Sequence, residues 1–351
     1  MLTLFALAIF HLAPAAGASP YRAPQLASSS KLVVLAFGAG NSIYVATSGD
    51  QGASFSAPVK VAEAGVLPLS RHRGPRVALT KDAIVVTAVT GNTPATGPHA
   101  HGLPSDGDLY AWRSTNGGKS WSKGVRINSV PGSAREGLHT LASDGHRKLF
   151  AAWLDLRGEG TQLYGAYSYD GGKTWSSNLL LYHSPAGTIC QCCHPSAGFA
   201  RDGTLDVMWR NDVDGARDFY LLQATSGKPF GSPQKLGHGT WKINACPMDG
   251  GGLTHKGTQT ITAWRREGDL FLDEPGKPEQ KIGEGQDIAV AAAGNRLYAA
   301  WIVQGHLTAW SEGKTETIAN SAAMPNLLGL TSGDVLITWE DRDGIVVETI
   351  R

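Results

Sequence analysis

The stretch SYDGGKTW, Ser168–Trp175, decides the fold because it occurs in two further copies along the chain. The other copies are STNGGKSW, Ser114–Trp121, and SGDQGASF, Ser48–Phe55. The Asp or Asn of such an octet can cap backbone N–H groups, and glycine supplies a positive φ. The aromatic ring at the end can fill the seam between two strands. Each octet therefore predicts a tight turn that joins neighbouring β-strands.

Strand segments with alternating or β-branched residues surround these turns. Five of them end in tryptophan, namely Leu149–Trp153, Leu205–Trp209, Thr260–Trp264, Arg296–Trp301 and Val335–Trp339. The first strand of each unit is expected to start near one of seven positions: Pro24, Pro75, Leu138, Pro195, Pro247, Asp287 and Pro325. Radial repetition of four-stranded units predicts an all-β fold, a six- or seven-bladed β-propeller whose last unit is short of its fourth strand.

The octets resemble the Asp-boxes of the sialidase (bacterial neuraminidase repeat) superfamily of β-propellers. In addition, YRAP at Tyr21–Pro24 resembles the Y/F-R-I-P motif that opens sialidase domains. The resemblance implies a sialidase-like propeller over residues 19–351. It also implies that Arg22 is one of three arginines that hold a sialic-acid carboxylate, with Arg210 and Arg265 as candidates for the others. Arginine suits this role because its guanidinium binds a carboxylate through two parallel hydrogen bonds.

Two other parts of the sialidase mechanism lack a counterpart in the sequence. The family's acid/base Asp is expected in the connection AFGAGN, residues 36–41, which contains no carboxylate. No tyrosine follows Tyr298 to act as the late nucleophile, although Glu340, Asp341 and Asp343 fall in late loops. A glycosidase needs two carboxyl groups, or a tyrosine substitute, around the scissile bond. An exo-sialidase-type hydrolase of acidic sugars is therefore an alternative to the main interpretation below.

Composition narrows the function classes. Of 351 residues, 42% are hydrophobic and 17% charged, so the chain can build a full core and is not disordered. The formal net charge of +1 argues against an electrostatic nucleic-acid binder. No internal stretch has the ~20 apolar residues of a membrane span.

The N-terminal segment is typical of an export signal. An apolar run, Met1–Leu12, precedes the small residues Ala16-Gly17-Ala18. This pattern predicts a signal peptide over residues 1–18 with cleavage before Ser19. We therefore expect export to a periplasm or the cell exterior, where disulfides can form.

Propeller geometry predicts which residues share a face. The first strand of each blade starts at the top of the central opening, so the connections that precede these strands meet there. The residues expected around this opening are Arg22, His72, Arg73, Glu136, His139, Asp249, Asp287 and Met324. Further histidines, His99 among them, fall on connections of the same face. We expect this face to bind a small molecule, a glycan or a protein.

All four cysteines precede the first strands of two adjacent units. They lie in Cys190-Gln191-Cys192-Cys193-His194 and Cys246-Pro247-Met248, so we expect the two segments to meet. One interpretation is a pair of disulfides, for instance from Cys190 or Cys192 to Cys246. A second is a metal site formed by Cys190, Cys192, Cys193, His194, Cys246 and Met248, a soft ligand set that suits copper first and zinc second. A redox-active thiol pair is the third.

The main functional interpretation follows from this cluster. It is an exported sialidase-like propeller that binds a soft transition metal for redox chemistry or metal handling. The acidic-sugar hydrolase described above is the first alternative. A propeller that binds a glycan or protein without catalysis is the second.

Overall fold

The computed structural model describes residues 9–97, 100–342 and 344–351, and all regular elements in these residues are β-strands. They form seven antiparallel sheets of four strands each. The first strand of every sheet contacts the first strands of the two neighbouring sheets, and the last sheet contacts the first. These contacts close a ring, so the fold is a seven-bladed β-propeller.

The strands are numbered along the chain, beginning with β1 (Ile9–Leu12). Blade one contains β2 (Tyr21–Ser28), β3 (Val33–Ala39), β4 (Ser42–Ser48) and β5 (Val59–Glu63). Blade two contains β6 (Arg76–Leu79), β7 (Ile84–Thr90), β8 (Asp108–Ser114) and β9 (Val125–Arg126). Blade three contains β10 (His139–Ser143), β11 (Leu149–Asp155), β12 (Gln162–Ser168) and β13 (Leu179–Tyr182). Blade four contains β14 (Ser196–Phe199), β15 (Leu205–Arg210), β16 (Phe219–Ala224) and β17 (Gln234–Lys235).

Blade five contains β18 (Gly252–Lys256), β19 (Gln259–Arg266), β20 (Asp269–Asp273) and β21 (Gln280–Glu284). Blade six contains β22 (Gln286–Ala293), β23 (Arg296–Val303), β24 (His306–Ser311) and β25 (Lys314–Ala319). Blade seven contains β26 (Ala323–Gly329), β27 (Val335–Glu340) and β28 (Ile345–Ile350), and β1 is its fourth strand.

The predicted all-β propeller is confirmed, with seven blades rather than six. Six of the seven first strands begin within three residues of the expected positions. The exception is β18, which starts at Gly252 and not near Pro247. The intervening residues make an irregular connection in which Met248 has a left-handed φ of 65°.

The three octets form the predicted turns between the third and fourth strands of blades one to three. In the first octet, the backbone N–H of Gly52 donates to Oγ of Ser48, and that of Ser54 donates to Oδ1 of Asp50 at 3.0 Å. Replacing Gly52 with a larger residue would destabilise the turn. Its φ is 92°, and a Cβ there would lie 2.6 Å from the Leu336 side chain. The terminal aromatic residues of the octets pack against the blade cores.

The missing fourth strand of blade seven comes from the N-terminal segment. β1 pairs antiparallel with β28, from Ile9 opposite Glu348 to Leu12 opposite Ile345. This strand lies inside the predicted signal peptide, whose first residues, 1–8, are outside the described part of the chain. Cleavage before Ser19 would remove β1, and export remains a prediction.

Large aromatic residues hold adjacent blades together. Trp153 on β11 is fully buried and packs in one cluster with Val85 and Leu109 of the preceding blade. Fully buried aromatic side chains each contribute a large apolar area to such seams. In the described part of the chain, no helix is long and apolar enough to cross a membrane.

Candidate functional site

Left-handed backbone recurs where the first strands meet the top of the opening. The pairing of first and second strands shifts register in blades one, six and seven, between Arg22 and Gln25, Gln286 and Ala289, and Ala323 and Asn326. Within these bulges φ is 55° at Ala23, 58° at Asp287 and 55° at Met324. A bulge re-aims a side chain, and left-handed φ at a non-glycine residue costs about 1–3 kcal/mol. Three blades thus share a strained bend at equivalent positions, which points to a functional opening.

A cavity of about 400 Å³ lies at this level. The residues that line it include Arg71, His72, Met248, Arg265, Asp287 and Met324. His72 also lines the channel of about 220 Å³ that runs between the first strands of all seven blades. We call the 400 Å³ cavity the axial cavity.

A larger cleft of about 670 Å³ lies beside blade two, around Asp106, Asp108 and Trp112. Its carboxylates are already engaged: Oδ1 of Asp106 accepts from the backbone of Asn92, and Oδ1 of Asp108 accepts from the backbone of Gly132. The axial cavity is the better candidate site because a histidine–carboxylate pair and two arginines converge there.

His72 and Asp287 form that pair. Nε2 of His72 lies 2.7 Å from Oδ1 of Asp287, and the two side chains are 13% and 17% exposed. An ionised carboxylate can only accept a hydrogen bond, so Nε2 carries the proton and Nδ1 is left as the basic nitrogen. Asp287 would stabilise the imidazolium that forms when Nδ1 takes up a proton.

One face of the His72 ring packs on the ring of His194. The ring centroids are 4.6 Å apart at an interplanar angle of 29°. Burial, followed by the charges of His72 and nearby arginines, lowers the pKa of His194 well below its usual range. His194 therefore stays neutral at physiological pH and adds no charge repulsion when His72 is protonated.

Two arginines line the axial cavity. Arg71 is exposed at its mouth, with Nη1 3.7 Å from the sulfur of Met248. Nε of Arg265 lies 2.9 Å from Oδ2 of the fully buried Asp249. Arg71 is not among the residues predicted from sequence, although it directly precedes His72 in the same connection.

The cysteine segments meet only in part. The sulfur atoms of Cys190, Cys192 and Cys193 lie 3.4–3.9 Å apart and are buried, with Met248 packed against them. Cys246 is exposed, so the expectation that all four cysteines meet is wrong. The connection bends at Met248, whose side chain packs against the cluster, and Cys246 stays outside it. All four thiols are free in the structure, and no disulfide joins the two segments.

The cluster is electrostatically polarised. Hydrogen bonds between the Cys190 thiol and the thiols of Cys192 and Cys193 hold the pKa of Cys190 well below its usual range. The charge of Arg210 acts in the same direction, and the guanidinium of Arg217 is close enough to the Cys190 sulfur to interact with it electrostatically. Arg217, which the sequence patterns did not single out, reaches the cluster from the loop before β16.

The chain matches no protein-family model, and no curated protein matches it in sequence. Solved structures do match. A polysaccharide lyase of family PL25, an ulvan lyase bound to -[GlcA(1-4)Rha3S]-, has a TM-score of 0.61 at 11% identity over 95% of this chain and 94% of that one. A leech intramolecular trans-sialidase complexed with 2,7-anhydro-Neu5Ac has a TM-score of 0.56 at 12% identity, covering 97% and 68%. The microbial sialidase Hadza Hz136 has a TM-score of 0.53 at 14% identity, covering 92% and 74%.

The fold is a sialidase-like β-propeller. Identities this low show the fold alone.

The three arginines that the sialidase resemblance implies do not converge in this sialidase-like propeller. Nη1 of Arg22 lies 2.9 Å from Oε2 of Glu340, outside the residues that line the axial cavity. Arg210 is buried, with its guanidinium 4.1 Å from the ring centre of Phe219. Only Arg265 lines the axial cavity, so a three-arginine carboxylate site is not assembled there.

Other residues expected around the opening are held in buried contacts below it. Nε of Arg73 donates to the carbonyl of Glu136 at 2.6 Å. His139 is fully buried, 3.0 Å from the Thr87 hydroxyl, and burial lowers its pKa to about 3. These side chains support the inner strands, whereas His72, Asp287 and Met324 line the axial cavity. His99 and Asp343 lie outside the described residues.

Proposed function

We propose that this sialidase-like propeller is a carbohydrate-active enzyme that cleaves an acidic glycan in the axial cavity, with His72 as the catalytic base. The observation that carries the proposal is the 2.7 Å contact between His72 and Asp287 at the cavity wall. A base of this kind must reach its substrate directly, and Asp287 would fix both its tautomer and its orientation.

The side chains present favour elimination over hydrolysis. A hydrolase needs two carboxyl groups about 5–10 Å apart around the scissile bond, or a tyrosine in place of one of them. No tyrosine is among the described residues that line the axial cavity. Among the described residues that line the axial cavity, Asp287 alone is acidic, and it is engaged with His72. The buried carboxylate Asp249 is also engaged, because it lies between Arg210 and Arg265.

Elimination requires one base and a cation beside a uronate carboxylate. His72 would remove the proton from the carbon next to that carboxylate. The released electron pair would form the carbon–carbon double bond as the glycosidic C–O bond breaks, and the leaving oxygen would take up a proton from water. Arg71 or Arg265 would bind the carboxylate and stabilise the charge that develops on it.

The structural comparisons support the acidic-glycan part of this proposal. The ulvan lyase is bound to a fragment that contains glucuronic acid, and the leech enzyme is complexed with a sialic-acid derivative. Both ligands carry a carboxylate. These proteins share the fold with this chain, and their ligands define the substrate class to test first.

The test is a panel of uronate-containing polysaccharides, ulvan included, followed by the ultraviolet absorbance of the unsaturated uronate. Sialyllactose hydrolysis is measured in parallel. His72→Asn should lower the rate by about 10²–10⁴-fold, whereas His306→Asn, on an exposed histidine outside the axial cavity, should not. Release of sialic acid that depends on His72, without unsaturated product, would instead identify a hydrolase.

Arg71 provides a second comparison. Arg71→Gln should raise KM about tenfold, the loss of about 1.4 kcal/mol of binding, with kcat less affected. Arg147→Gln is the matched control, because Arg147 is an exposed arginine in the turn between β10 and β11, on the opposite face. An equal effect of both variants would contradict carboxylate binding at the axial cavity.

A further inference from the structure

We propose that Cys190, Cys192 and Cys193 bind one copper(I) ion in a site behind the wall of the axial cavity. The three sulfur atoms are separated by 3.4, 3.6 and 3.9 Å, and all three residues are buried. Ligands at a metal–sulfur distance of about 2.3 Å stand about 3.8–4.0 Å apart. Small side-chain shifts would therefore bring the three sulfurs to coordination distance around one ion.

Packed neutral thiols can have similar separations. The charges around the cluster distinguish them from thiolates that bind a metal ion. The guanidinium groups of Arg210 and Arg217 are close enough to the Cys190 sulfur to act on it electrostatically. Both arginines also keep a buried Nε without a hydrogen-bond partner among the described residues. Three thiolates and one copper(I) ion carry a net charge of −2, and the guanidinium groups of Arg210 and Arg217, which also pair with Asp249 and Asp212, would stabilise that charge.

The ligand types select the metal. The group of potential ligands within 4.8 Å of one another contains three cysteines and no histidine or carboxylate among the described residues. The neighbouring side chain is the thioether of Met248, which packs against the cluster. Thiolate and thioether sulfur favour copper(I), whereas structural zinc sites are closed by four thiolate or imidazole ligands.

Two residues expected in the metal site lie elsewhere. His194 stacks on His72 and faces the central channel. Cys246 is exposed, outside the cluster. Met248 lines the axial cavity and also packs against the cysteines, so it separates the two sites. The copper site is thus distinct from the proposed catalytic pair, and each can be tested without the other.

The experiment is anaerobic loading of the full chain with copper(I) against a competing copper(I) chelator, followed by desalting and metal analysis. We expect about one copper per chain, and loss of at least nine-tenths of it in Cys192→Ser. Cys246→Ser is the matched control because it removes an exposed thiol outside the cluster, and it should keep the full amount. Equal retention in both variants, or no copper in the wild-type chain, would overturn the proposal.

Two measurements on the wild-type chain guard against misfolding of the variants. X-ray absorption at the copper edge should show sulfur ligands only, and nitrogen or oxygen ligands would overturn the assignment. Copper(I) should also raise the thermal midpoint of the wild-type chain and of Cys246→Ser, since a ligand that binds the folded state stabilises it. Zinc that displaces copper in the same competition would overturn the choice of metal.

Discussion

Nε2 of His72 lies 2.7 Å from Oδ1 of Asp287, although the two residues are 215 positions apart and belong to blades that are not neighbours. His72 precedes the first strand of blade two, and Asp287 lies in the first strand of blade six. His194, which precedes blade four, stacks on the same imidazole ring. His72 therefore reaches across the central opening and joins three blades at one point. These two contacts fix the imidazole between the axial cavity and the central channel, both of which His72 lines.

This contact predicts the behaviour of Asp287→Asn. The amide can donate to Nε2 and so favours the tautomer in which Nδ1 carries the proton and is no longer a base. We expect kcat on the uronate substrate to fall by about 10²–10⁴-fold, with a smaller change in KM. The pH–rate profile decides between this role and a structural one. An intact protein whose profile is unchanged would show that Asp287 does not act on His72.

A buried ion pair beneath the cavity predicts a loss of stability. Asp249 lies 2.9 Å from Nε of Arg265 and 3.4 Å from Nη2 of Arg210. Asp249→Asn leaves both guanidinium groups without their counter-charge, which should lower the free energy of unfolding by about 3–5 kcal/mol. Asp82→Asn breaks an exposed pair with Arg147 and should cost about 1 kcal/mol or less. Urea unfolding of both variants checks this, and equal midpoints would refute it.

The buried His139 predicts a loss of stability in acid. Its pKa is lowered from the usual ~6.5 to about 3 in the folded state, chiefly by burial. The unfolded chain therefore binds a proton that the folded chain does not. The stabilising effect is fully present above about pH 6.5 and is lost at about 1.4 kcal/mol per pH unit as the pH falls towards 3.

The matched variants are His139→Gln and His146→Gln, the latter on an exposed turn of the same blade. Between about pH 7 and about pH 5 the wild-type chain and His146→Gln should lose about 2 kcal/mol more unfolding free energy than His139→Gln. Parallel losses in all three proteins would assign the acid sensitivity to other groups.

The architecture was predictable because each blade repeats the same physical pattern. A proline lies in the first strand or directly before it in four blades, and a tryptophan lies one or two residues before the end of the second strand in five blades. The sequence also identifies the ring of connections around the opening, including His72 and Asp287. Their pairing was not predictable, because it depends on the left-handed φ of both residues, 63° and 58°. Sequence spacing does not specify such angles.

The cysteines show the same limit at shorter range. Three thiols that lie within four positions were expected to be close, and they are. Which residue of the second segment faces them depends on one turn, and Met248 rather than Cys246 occupies that position. An apolar run is similarly ambiguous at the N-terminus. A signal-peptide core and an outer β-strand have the same composition, so Ile9–Leu12 fits both.

The N-terminal strand leads to the last prediction. Phe10 packs on Phe55 with ring centres 5.2 Å apart, and Leu12 is buried in the apolar cluster between blades seven and one. A chain that starts at Ser19 loses these contacts and exposes the edge of β28. Its free energy of unfolding should fall by about 2–4 kcal/mol, whereas a chain that starts at Ile9 and keeps β1 should unfold like the full chain. If both unfold at the same urea concentration, β1 adds nothing to stability.

Mass spectrometry of the exported protein would show which of the two chains the cell makes. An N-terminus at Ser19 means that blade seven works with three strands, because the strand that completes it has been removed during export.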